Sequence, residues 1–289
     1  MKRIIALITV LVLALSLTAC GGSGEKIDIS NAKNLADLAG AKIAAQAGTF
    51  HADALPQIEN VQSSTYPEFT DLLTALKSGA IDGYIAEEPT ALSVCGEDSS
   101  LTYIALKNND TGFTATAADV GIAVGLKTGS ALKDQINAVL ATISEETKSQ
   151  LMAQMVDLAA GKEIGELAIE IKETDGANGV LKVGMECAYE PFNWTNLEDM
   201  GNGNVEISSE GKEGQYANGY DVQIARYIAA ELGMKLEIYS TDWDSLLPSL
   251  NSTVIDAVVA GMSPTAEREE QIDFTNTYYE SNLVVIIKK

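Results

Sequence analysis

The chain offers little material for catalysis or for metal binding. Its 289 residues include a single histidine, His51. The chain therefore has almost none of the histidines that a histidine-based metal site or a serine–histidine–aspartate triad would require. Three positions instead suit the binding of ions: Arg268, Glu87 and Thr49, which follows Ala47-Gly48 at a predicted helix start. A guanidinium can hold both oxygens of a carboxylate, a carboxylate can hold an ammonium group, and the amide groups of a helix N-terminus favour an anion. We therefore expect no cofactor, no metal and no enzymatic activity.

Each of these positions also has a structural interpretation. An arginine within Ala-Glu-Arg-Glu-Glu is typical of a solvated helix, and Glu87 opens a helix in which the dipole favours an acid. Thr49 could serve simply as an N-cap. His51 is predicted to lie on the surface of a helix, and three aspartates are interpreted as structural, namely Asp82, Asp221 and Asp256.

The start of the chain predicts export and a lipid anchor. Two basic residues precede an apolar run over 4–17, and Leu17-Thr18-Ala19-Cys20 is a small-residue cleavage site that ends in cysteine. The run is short for a membrane span, so residues 1–19 are predicted to be a signal peptide. The cysteine resembles that of a bacterial lipobox, so Cys20 is expected to carry a lipid and residues 20–33 to form a flexible tether. An ordinary secretory signal with a chance cysteine is the alternative.

The charge of the chain excludes some partners. The formal net charge of −22 becomes −24 once Lys2 and Arg3 leave with the signal peptide. Such a charge argues against binding to nucleic acid and against a surface that binds closely to anionic lipid. With Cys20 lipidated, only Cys95 and Cys187 remain, which are too few for a disulfide framework, and the sequence leaves open whether they are free thiols.

Strands and helices alternate along the chain, which predicts an α/β fold. The predicted strands are 42–46, 81–86, 120–126, 181–185, 235–239, 254–260 and 283–287. The predicted helices are 50–59, 68–78, one opening at 87–89, one capped by Ser130 and reaching 143, 145–158, 219–232, 242–250 and a short one capped by Thr265. Residues 172–179 are predicted to be a linker, and 201–219 an exposed loop or hairpin.

A repeat indicates two similar lobes. Residues 72–86 align with residues 246–260, and seven of the 15 positions are identical. Each copy is a helix, a turn and a strand, and ligands of α/β sheets bind beyond the carboxyl ends of strands. Two such lobes facing each other would form a cleft. The alternative is that many helix–turn–strand units look alike.

Six motifs together resemble the amino-acid-binding proteins of ABC importers, which are type II periplasmic binding proteins of solute-binding protein family 3. The resemblance covers 34–160 and 180–289. The motifs are Gln46–Thr49, Ile81–Glu88, Val183–Phe192, Gly219–Val222, Trp243–Leu250 and Met262–Arg268.

The order of these motifs departs from that of the family. Usual members begin with the Val-Gly-Met strand of lobe 1, whereas this chain begins with lobe 2 and ends on what looks like the first hinge strand. We expect a circular permutation with lobe 2 at 34–118 and lobe 1 at 119–289. Within lobe 1 we expect a hinge strand and helices at 119–160, a linker joining the old termini at 161–179, the main part at 180–280 and the other hinge strand at 281–289. Pairing of the halves between two chains, as in a domain swap, is the alternative to a permuted monomer.

The resemblance also implies roles for particular residues. It makes Arg268 the carboxylate clamp, because the family's arginine lies five residues after a serine that Ser263 matches. It makes Glu87 the acid that binds the ammonium group. Further contacts are implied for the turn at Gly261, Met262 and Ser263, for Thr49 and for the aromatic walls Tyr189, Phe192 and Trp243. Glu186 matches a position where relatives often carry an acid near the ligand side chain, which favours a polar or cationic ligand.

The implied function is capture of a free L-amino acid outside the cytoplasm, at the bacterial cell membrane. Lobe 1 would bind the ligand, lobe 2 would close over it by hinge motion, and the closed form would dock on an ABC permease in the membrane. Two other interpretations remain: a lipoprotein that senses an amino acid and reports to a separate receptor, and a cleft enzyme such as a dehydratase on the same fold. No residue pair marks a nucleophile beside a base, which disfavours the enzyme.

Overall fold

The computed structural model describes residues 27–289. The predicted signal peptide, Cys20 and the tether up to residue 26 lie outside the described residues. The described part is an α/β structure with two five-stranded sheets and one four-stranded sheet. Its strands are β1 (Ile43–Gln46), β2 (Ser64–Tyr66), β3 (Gly83–Glu87), β4 (Leu101–Ile104), β5 (Gly121–Leu126), β6 (Val180–Met185), β7 (Ala188–Tyr189), β8 (Asn193–Asn196), β9 (Val205–Glu206), β10 (Tyr216–Asn218), β11 (Lys235–Ser240), β12 (Ala257–Val258), β13 (Asp273–Glu280) and β14 (Leu283–Lys288).

Helices cover the two large sheets. The α-helices are α1 (Phe50–Ala54), α2 (Phe69–Ser78), α3 (Glu88–Glu97), α4 (Ala117–Val120), α5 (Leu132–Leu140), α6 (Glu145–Ala159), α7 (Tyr220–Glu231), α8 (Leu246–Asn251) and α9 (Ala266–Glu269). Short 3₁₀ helices occupy Leu35–Leu38, Leu55–Gln57 and Trp243–Ser245. Within residues 27–289, no helix has both the length and the apolar character needed to cross a bilayer.

Lobe 2 is built on the sheet β2-β1-β3-β14-β4. Its strand β1 runs parallel to β2 and β3, and both β1 and β3 are buried along their whole length. Such continuous burial is typical of central strands covered on both faces. Helix α2 ends at Gly79, whose φ of 77° provides the left-handed cap that a glycine adopts at little cost.

The last strand, β14, completes the sheet of lobe 2. It pairs antiparallel with β3 on one side and with β4 on the other. Residues 281–289 were predicted to be the other hinge strand of lobe 1. The chain crosses from lobe 1 at 281–282, and the apolar strand that follows pairs within the sheet of lobe 2.

Lobe 1 is built on the sheet β11-β6-β12-β5-β13. Strand β6 runs parallel to β11 and β12, whereas β5 runs antiparallel to β12 and β13. Strand β5 enters this sheet directly after the first crossing from lobe 2. The small sheet β7-β8-β10-β9 projects from the end of β6. The predicted exposed segment 201–219 thus contains two short strands of this sheet.

The chain crosses between the lobes twice, at 105–120 and at 281–282, and Asn108 ties the two crossings together. Its Nδ2 donates to the main-chain oxygen of Ser281 at 3.1 Å. Its Oδ1 accepts from the main-chain N–H of Leu283 at 3.1 Å. These two connections are adjacent, which is the arrangement that lets two lobes turn about a common hinge.

Two predicted helices begin or end elsewhere because of proline. The helix predicted over 50–59 stops at Ala54, and a 3₁₀ turn containing Pro56 follows. The helix predicted from Asp242 starts only at Leu246, after a 3₁₀ turn, and the Asp242 side chain makes no capping bond. A proline lacks the N–H that would continue a helix, so Pro248 is confined to a first turn.

Two predictions of strands also need correction. The strand expected over 254–260 pairs only at Ala257–Val258, because Thr253 with a φ of 62° turns the chain and the next residues form a loop. Strand β13 was not predicted at all. Its pairing with β5 is interrupted by two register irregularities, so its burial does not alternate as a regular strand's would.

Candidate functional site

Residues at the carboxyl ends of strands from both lobes face one cavity. Lobe 2 contributes Gln46 at the end of β1 and Glu87 at the end of β3, while lobe 1 contributes Ser263 after β12 and Arg268 in α9. The cavity measures about 10 Å³, which is room for roughly one water molecule. Its lining comprises Gln46, Thr49, Phe50, His51, Phe69, Glu87, Asp119, Tyr189, Trp243, Ala260, Gly261, Ser263, Arg268 and Leu283.

Arg268 connects the two lobes. Its Nη1 donates to the main-chain oxygen of Ser263 in lobe 1 at 2.8 Å, and its Nη2 donates to that of Gly48 in lobe 2 at 2.9 Å. The guanidinium carbon lies 5.2 Å from the ring centroid of Trp243. Burial lowers the pKa of Arg268 to about 10, against the opposing charges of Asp53 and Glu267. Desolvated in this way, the guanidinium would bind a carboxylate more strongly than it would in water.

The carbonyl of Gly48 is held by a second donor from lobe 1. The indole Nε1 of Trp243 donates to the Gly48 oxygen at 3.1 Å. Gly48 has a φ of 67°, and a Cβ there would come within 3.3 Å of Asp244 Oδ1 and 3.4 Å of Trp243 Nε1. A glycine is therefore favoured at this position both by the positive φ and by the close approach of lobe 1.

Glu87 faces His51, which corrects a prediction. His51 was expected on the surface of a helix, yet it is only 6% exposed, and its Nε2 lies 2.9 Å from Oε2 of Glu87, which is 5% exposed. Neither atom completes a well-aligned hydrogen bond. The prediction failed because α1 is a single turn whose outward face is covered by Phe69, with the two ring centroids 5.6 Å apart.

Thr49 precedes α1 but does not cap it with its side chain. Its hydroxyl donates back to the main-chain oxygen of Gln46 at 2.7 Å and lies 3.2 Å from Nδ1 of His51. With only five residues in α1, the helix dipole there is small. The contribution of Thr49 to the site is therefore a hydroxyl group that orients its neighbours.

Glu186 forms a second polar connection across the cleft. Gln46 Nε2 of lobe 2 donates to Glu186 Oε1 of lobe 1 at 2.7 Å. Burial raises the pKa of Glu186 to about 7, and the nearby carboxylates of Glu68, Asp242 and Asp244 act in the same direction. The hydrogen bond from Gln46 opposes this rise. No cation contributes to the pKa of Glu186 among the described residues, so the group is a carboxyl crowded by other acids.

Aromatic rings stack through the cleft. Tyr189 of lobe 1 stacks on Phe69 of lobe 2 with ring centroids 4.0 Å apart, and Phe192 stacks behind Tyr189 at 5.1 Å. Gly261 lies against the same tyrosine, because a Cβ at that position would be 3.2 Å from the ring. The hydroxyl group of Tyr189 is buried without a hydrogen-bond partner.

The structure brings most of the predicted site residues together. Seven line the cavity: Thr49, Glu87, Tyr189, Trp243, Gly261, Ser263 and Arg268. Three do not: Glu186 lies beside it, and Phe192 and Met262 are buried behind it. Seven other lining residues were not predicted as site residues: Gln46, Phe50, His51, Phe69, Asp119, Ala260 and Leu283. Two of them, Gln46 and His51, could have been inferred from the sequence as neighbours of the site, because they lie on either side of the Gly48-Thr49 turn.

The two cysteines of the described residues, Cys95 and Cys187, are free thiols, a state that the sequence left open. Burial raises the pKa of Cys187 to about 12. Among residues 27–289, no group of three or more histidine, cysteine, aspartate or glutamate side chains could hold a metal ion.

Two lobes, two adjacent crossings and a cleft lined by strand ends define a two-lobed fold of the type II periplasmic-binding-protein class. Residues 181–289 match the model of the bacterial extracellular solute-binding proteins, family 3.

Curated relatives are amino-acid-binding proteins. The arginine-binding extracellular protein ArtP of Bacillus subtilis (strain 168) is 40% identical over 109 residues, which cover 38% of this chain and 36% of the relative. The L-cystine-binding protein TcyA of the same organism is 35% identical over 125 residues, which cover 43% of this chain and 39% of the relative. The chain thus spans well under half the length of these two relatives.

Solved structures give short matches. An ancestral cationic amino acid solute binding protein is 34% identical, with 33% of this chain and 35% of that chain covered and a TM-score of 0.26. The arginine-bound form of domain 1 from TmArgBP is 27% identical, with 39% of this chain and 82% of that chain covered and a TM-score of 0.29.

Proposed function

We propose that this chain is an extracytoplasmic, lipid-anchored receptor that binds a free amino acid between its lobes and delivers it to an ABC importer. The observation that carries the proposal is the meeting of Arg268 and Glu87, from opposite lobes, at one buried cavity. A zwitterion needs a cation for its carboxylate and an anion for its ammonium group. These two side chains supply both, and binding would join the lobes through the ligand.

Ligand entry requires the cleft to open. A cavity of about 10 Å³ is far too small for an amino acid. The adjacent crossings at 105–120 and 281–282 provide a hinge about which lobe 2 can turn away from lobe 1. In the open form Arg268 loses its contact with Gly48, and its Nη2 becomes available to a ligand carboxylate.

A cationic side chain suits the far side of the cleft. Glu186 is buried near three further acids, Glu68, Asp242 and Asp244, and its carboxyl group accepts a hydrogen bond from the neutral side chain of Gln46. A positive ligand group near Glu186 would relieve the repulsion among these carboxylates and favour the ionised form. The arginine-binding name of one relative is consistent with this choice.

We also propose that the chain is a circularly permuted monomer. Strand β14 of the same chain lies between β3 and β4 in the lobe 2 sheet, so both lobes can be completed without a second copy. A domain-swapped dimer is the alternative. Light scattering after size-exclusion chromatography of the chain without its lipid would give about the monomer mass for a permuted monomer and twice that mass for a swap.

Export and anchoring rest on the sequence of residues 1–20. In this proposal Cys20 carries a lipid and residues 21 to 33 lead into lobe 2, so lobe 1 is the farther lobe along the chain from the membrane. Cys20→Ser should release the protein from the membrane fraction of an expressing bacterium. Intact mass of the extracted wild-type protein should show the added acyl chains on the new N-terminal cysteine.

The binding activity is tested by a thermal-shift screen of the common amino acids, followed by titration calorimetry with those that stabilise the protein. Arg268→Ala should abolish binding and retain the far-ultraviolet circular dichroism of the fold. Lys127→Ala, which removes the same charge from an exposed position of lobe 1, is the matched control and should bind normally. Unchanged affinity in Arg268→Ala would contradict the site.

A sensory lipoprotein would share the cleft and differ only in its partner. Transport of the labelled amino acid by membranes that contain the cognate permease and ATPase separates the two roles. Uptake that depends on this protein supports delivery, and binding without any uptake supports sensing.

A further inference from the structure

We propose that His51 is the counter-ion of Glu87 when no ligand is bound, and that the ligand's ammonium group displaces it with release of a proton. This inference rests on the proposed function, because it concerns how the same cleft takes up an amino acid. It assigns a role to the single histidine of the chain. His51 would be a positioning and specificity-determining residue, since it sets what the ammonium group must replace.

The first support is the burial of an isolated pair. The side chains of His51 and Glu87 are 8% and 7% exposed, and the nearest atoms are 2.9 Å apart. Both atoms are buried without any other hydrogen-bond partner, and both residues line the cavity. A buried carboxylate is costly unless it is paired. Among the described residues, His51 is the group that pairs with Glu87.

The second support is the direction of the hydrogen bonds on the other side of the ring. The hydroxyl hydrogen of Thr49 is used at 2.7 Å by the main-chain oxygen of Gln46. The Thr49 oxygen, 3.2 Å from Nδ1 of His51, is then an acceptor, and Nδ1 carries the hydrogen. A neutral ring of this tautomer would turn a lone pair of Nε2 toward the Glu87 carboxylate.

These two acceptors, Nε2 of His51 and Oε2 of Glu87, lie 2.9 Å apart and would repel each other. The pair must therefore hold one additional proton between them. Placed on Nε2, it gives an imidazolium beside a carboxylate, and the pair is neutral as a whole. Imidazole is the side chain that gains a proton under mild conditions, which makes this the natural location. The contact is poorly aligned for a hydrogen bond, which leaves Glu87 Oε2 able to form a better one with a ligand.

Other charged or titratable groups surround the pair and do not replace it. Arg268, Asp119 and Tyr189 line the same cavity, Tyr279 and Asp221 interact electrostatically with Glu87, and Glu186 lies beyond Gln46. Arg268 is engaged by the carbonyls of Gly48 and Ser263. Glu87 therefore depends on His51 for its positive partner.

The proton balance of binding follows. The ligand arrives with its own ammonium group, which takes the place of the imidazolium beside Glu87. A charged imidazolium next to a charged ammonium group is unfavourable, so His51 gives one proton to the solvent and becomes neutral. One proton released for one ligand bound means that affinity rises up to about tenfold for each pH unit over which His51 is protonated.

The ionisation of His51 can be observed directly, because the chain contains only one histidine. The probe is a two-dimensional NMR spectrum of ¹⁵N-histidine-labelled protein without an affinity tag, recorded with and without the amino acid found by the screen. The ring nitrogens should show an imidazolium in the free protein and a neutral ring after saturation. In Glu87→Gln, recorded under the same conditions, the imidazolium signal of the free protein should be lost.

Calorimetry supplies the second readout. Binding should weaken by several-fold from pH 8 to pH 6, and heats measured in two buffers of different ionisation enthalpy should reveal the released proton. His51→Gln should remove that proton and flatten the pH dependence. Glu186→Gln serves as the comparison, because it removes the other carboxyl whose ionisation could couple to a cationic ligand and leaves the contribution of His51 intact.

The outcomes separate this inference from the proposed function. If no amino acid binds at pH 8, the proposed function fails. If an amino acid binds and the histidine ring is neutral in both states, the inference is overturned and the function stands. The same holds if His51→Gln keeps the full pH dependence of the wild type. The NMR measurement needs no variant, so it decides the question even if His51→Gln does not fold.

Discussion

Arg268 of lobe 1 donates through Nη2 to the main-chain oxygen of Gly48 in lobe 2 at 2.9 Å, so a peptide carbonyl occupies the guanidinium that would clamp a ligand carboxylate. Glu87, the opposite charge of the site, is likewise engaged by a protein group, His51, at 2.9 Å. Both charged ends of the proposed zwitterion site are therefore in contact with groups of the protein itself. A ligand must exchange these contacts for its own.

Specific contacts join the lobes at the cleft, and away from the cleft α3 of lobe 2 packs against α6 of lobe 1 within one apolar cluster. Trp243 also donates to Gly48, Gln46 donates to Glu186, and Phe69 stacks on Tyr189. Contacts of these kinds contribute on the order of 1 kcal/mol each. A ligand that binds one conformation better than the other can compete with these cleft contacts.

Replacing Arg268 with lysine should weaken amino-acid binding by about 30-fold, on the order of 2 kcal/mol. An ammonium group is a point charge and cannot hold two carboxylate oxygens in one plane as a guanidinium does. Titration calorimetry measures the change. Arg226→Lys makes the same substitution in α7, where the side chain contacts Gln223, and should bind as the wild type does. Equal affinities for the two variants would contradict a bidentate clamp.

Replacing Gly48 with alanine should favour the open form. Alanine is strained at a φ of 67°, and its Cβ would press on Asp244 and Trp243 across the cleft. Gly129 has a φ of 76° with nothing within 4 Å of an added Cβ, so Gly129→Ala carries the backbone cost without the contact. Small-angle scattering should show a larger radius of gyration for Gly48→Ala only. An equal change in both variants would mean that closure does not depend on this contact.

Much of the fold could be predicted because its signals are local. The apolar face of α2 and the left-handed cap at Gly79 both lie within one short segment, and the structure confirms them. Strand β13 shows the limit of such signals. Its residues form a strand because they pair with β5. The register irregularities remove the alternation of apolar and polar residues by which a strand could be recognised in the sequence.

The site shows the same contrast. Arg268 and Glu87 could be singled out because their charges suit a zwitterion and their motifs resemble those of a known family. His51 could not, because a helix of five residues has no periodicity from which to infer a buried face. Its burial depends on Glu87 and Phe69, which are distant along the chain and are brought to it only by folding.

Removing the Tyr278 hydroxyl should destabilise lobe 1 by about 1–3 kcal/mol. Tyr278 donates to Oδ1 of the fully buried Asp221 at 2.6 Å, and Asn193 donates to Oδ2 at 2.8 Å. In Tyr278→Phe the Asp221 carboxylate loses one of these donors in a place that water does not reach. Urea unfolding measures the loss. Tyr279→Phe, next to it and without a hydrogen bond from its hydroxyl among the described residues, should change stability by less than about 0.5 kcal/mol.

Ionisation of Glu186 should make the protein less stable as the pH rises. Its pKa is raised by burial from 4.5 to about 7, so the folded state binds more protons than the unfolded state between these values. The stability that the protonated group contributes is fully present below pH 4.5, and it is lost as the pH rises through about 7. The full displacement corresponds to about 3 kcal/mol, an upper bound because the cleft can open to admit water.

Glu186→Gln isolates this effect, since glutamine keeps the shape and cannot ionise. The difference in the free energy of unfolding between pH 5 and pH 8, measured in urea, should be smaller in Glu186→Gln than in the wild type by about 2 kcal/mol. Glu190 and Asp221, whose pKa values burial also raises, remain in both proteins and cancel in the comparison. The exposed Glu210→Gln controls for loss of one charge and should leave the difference unchanged. A pH dependence as large in Glu186→Gln as in the wild type would show that this carboxyl is solvated, and that the lobes do not close over it.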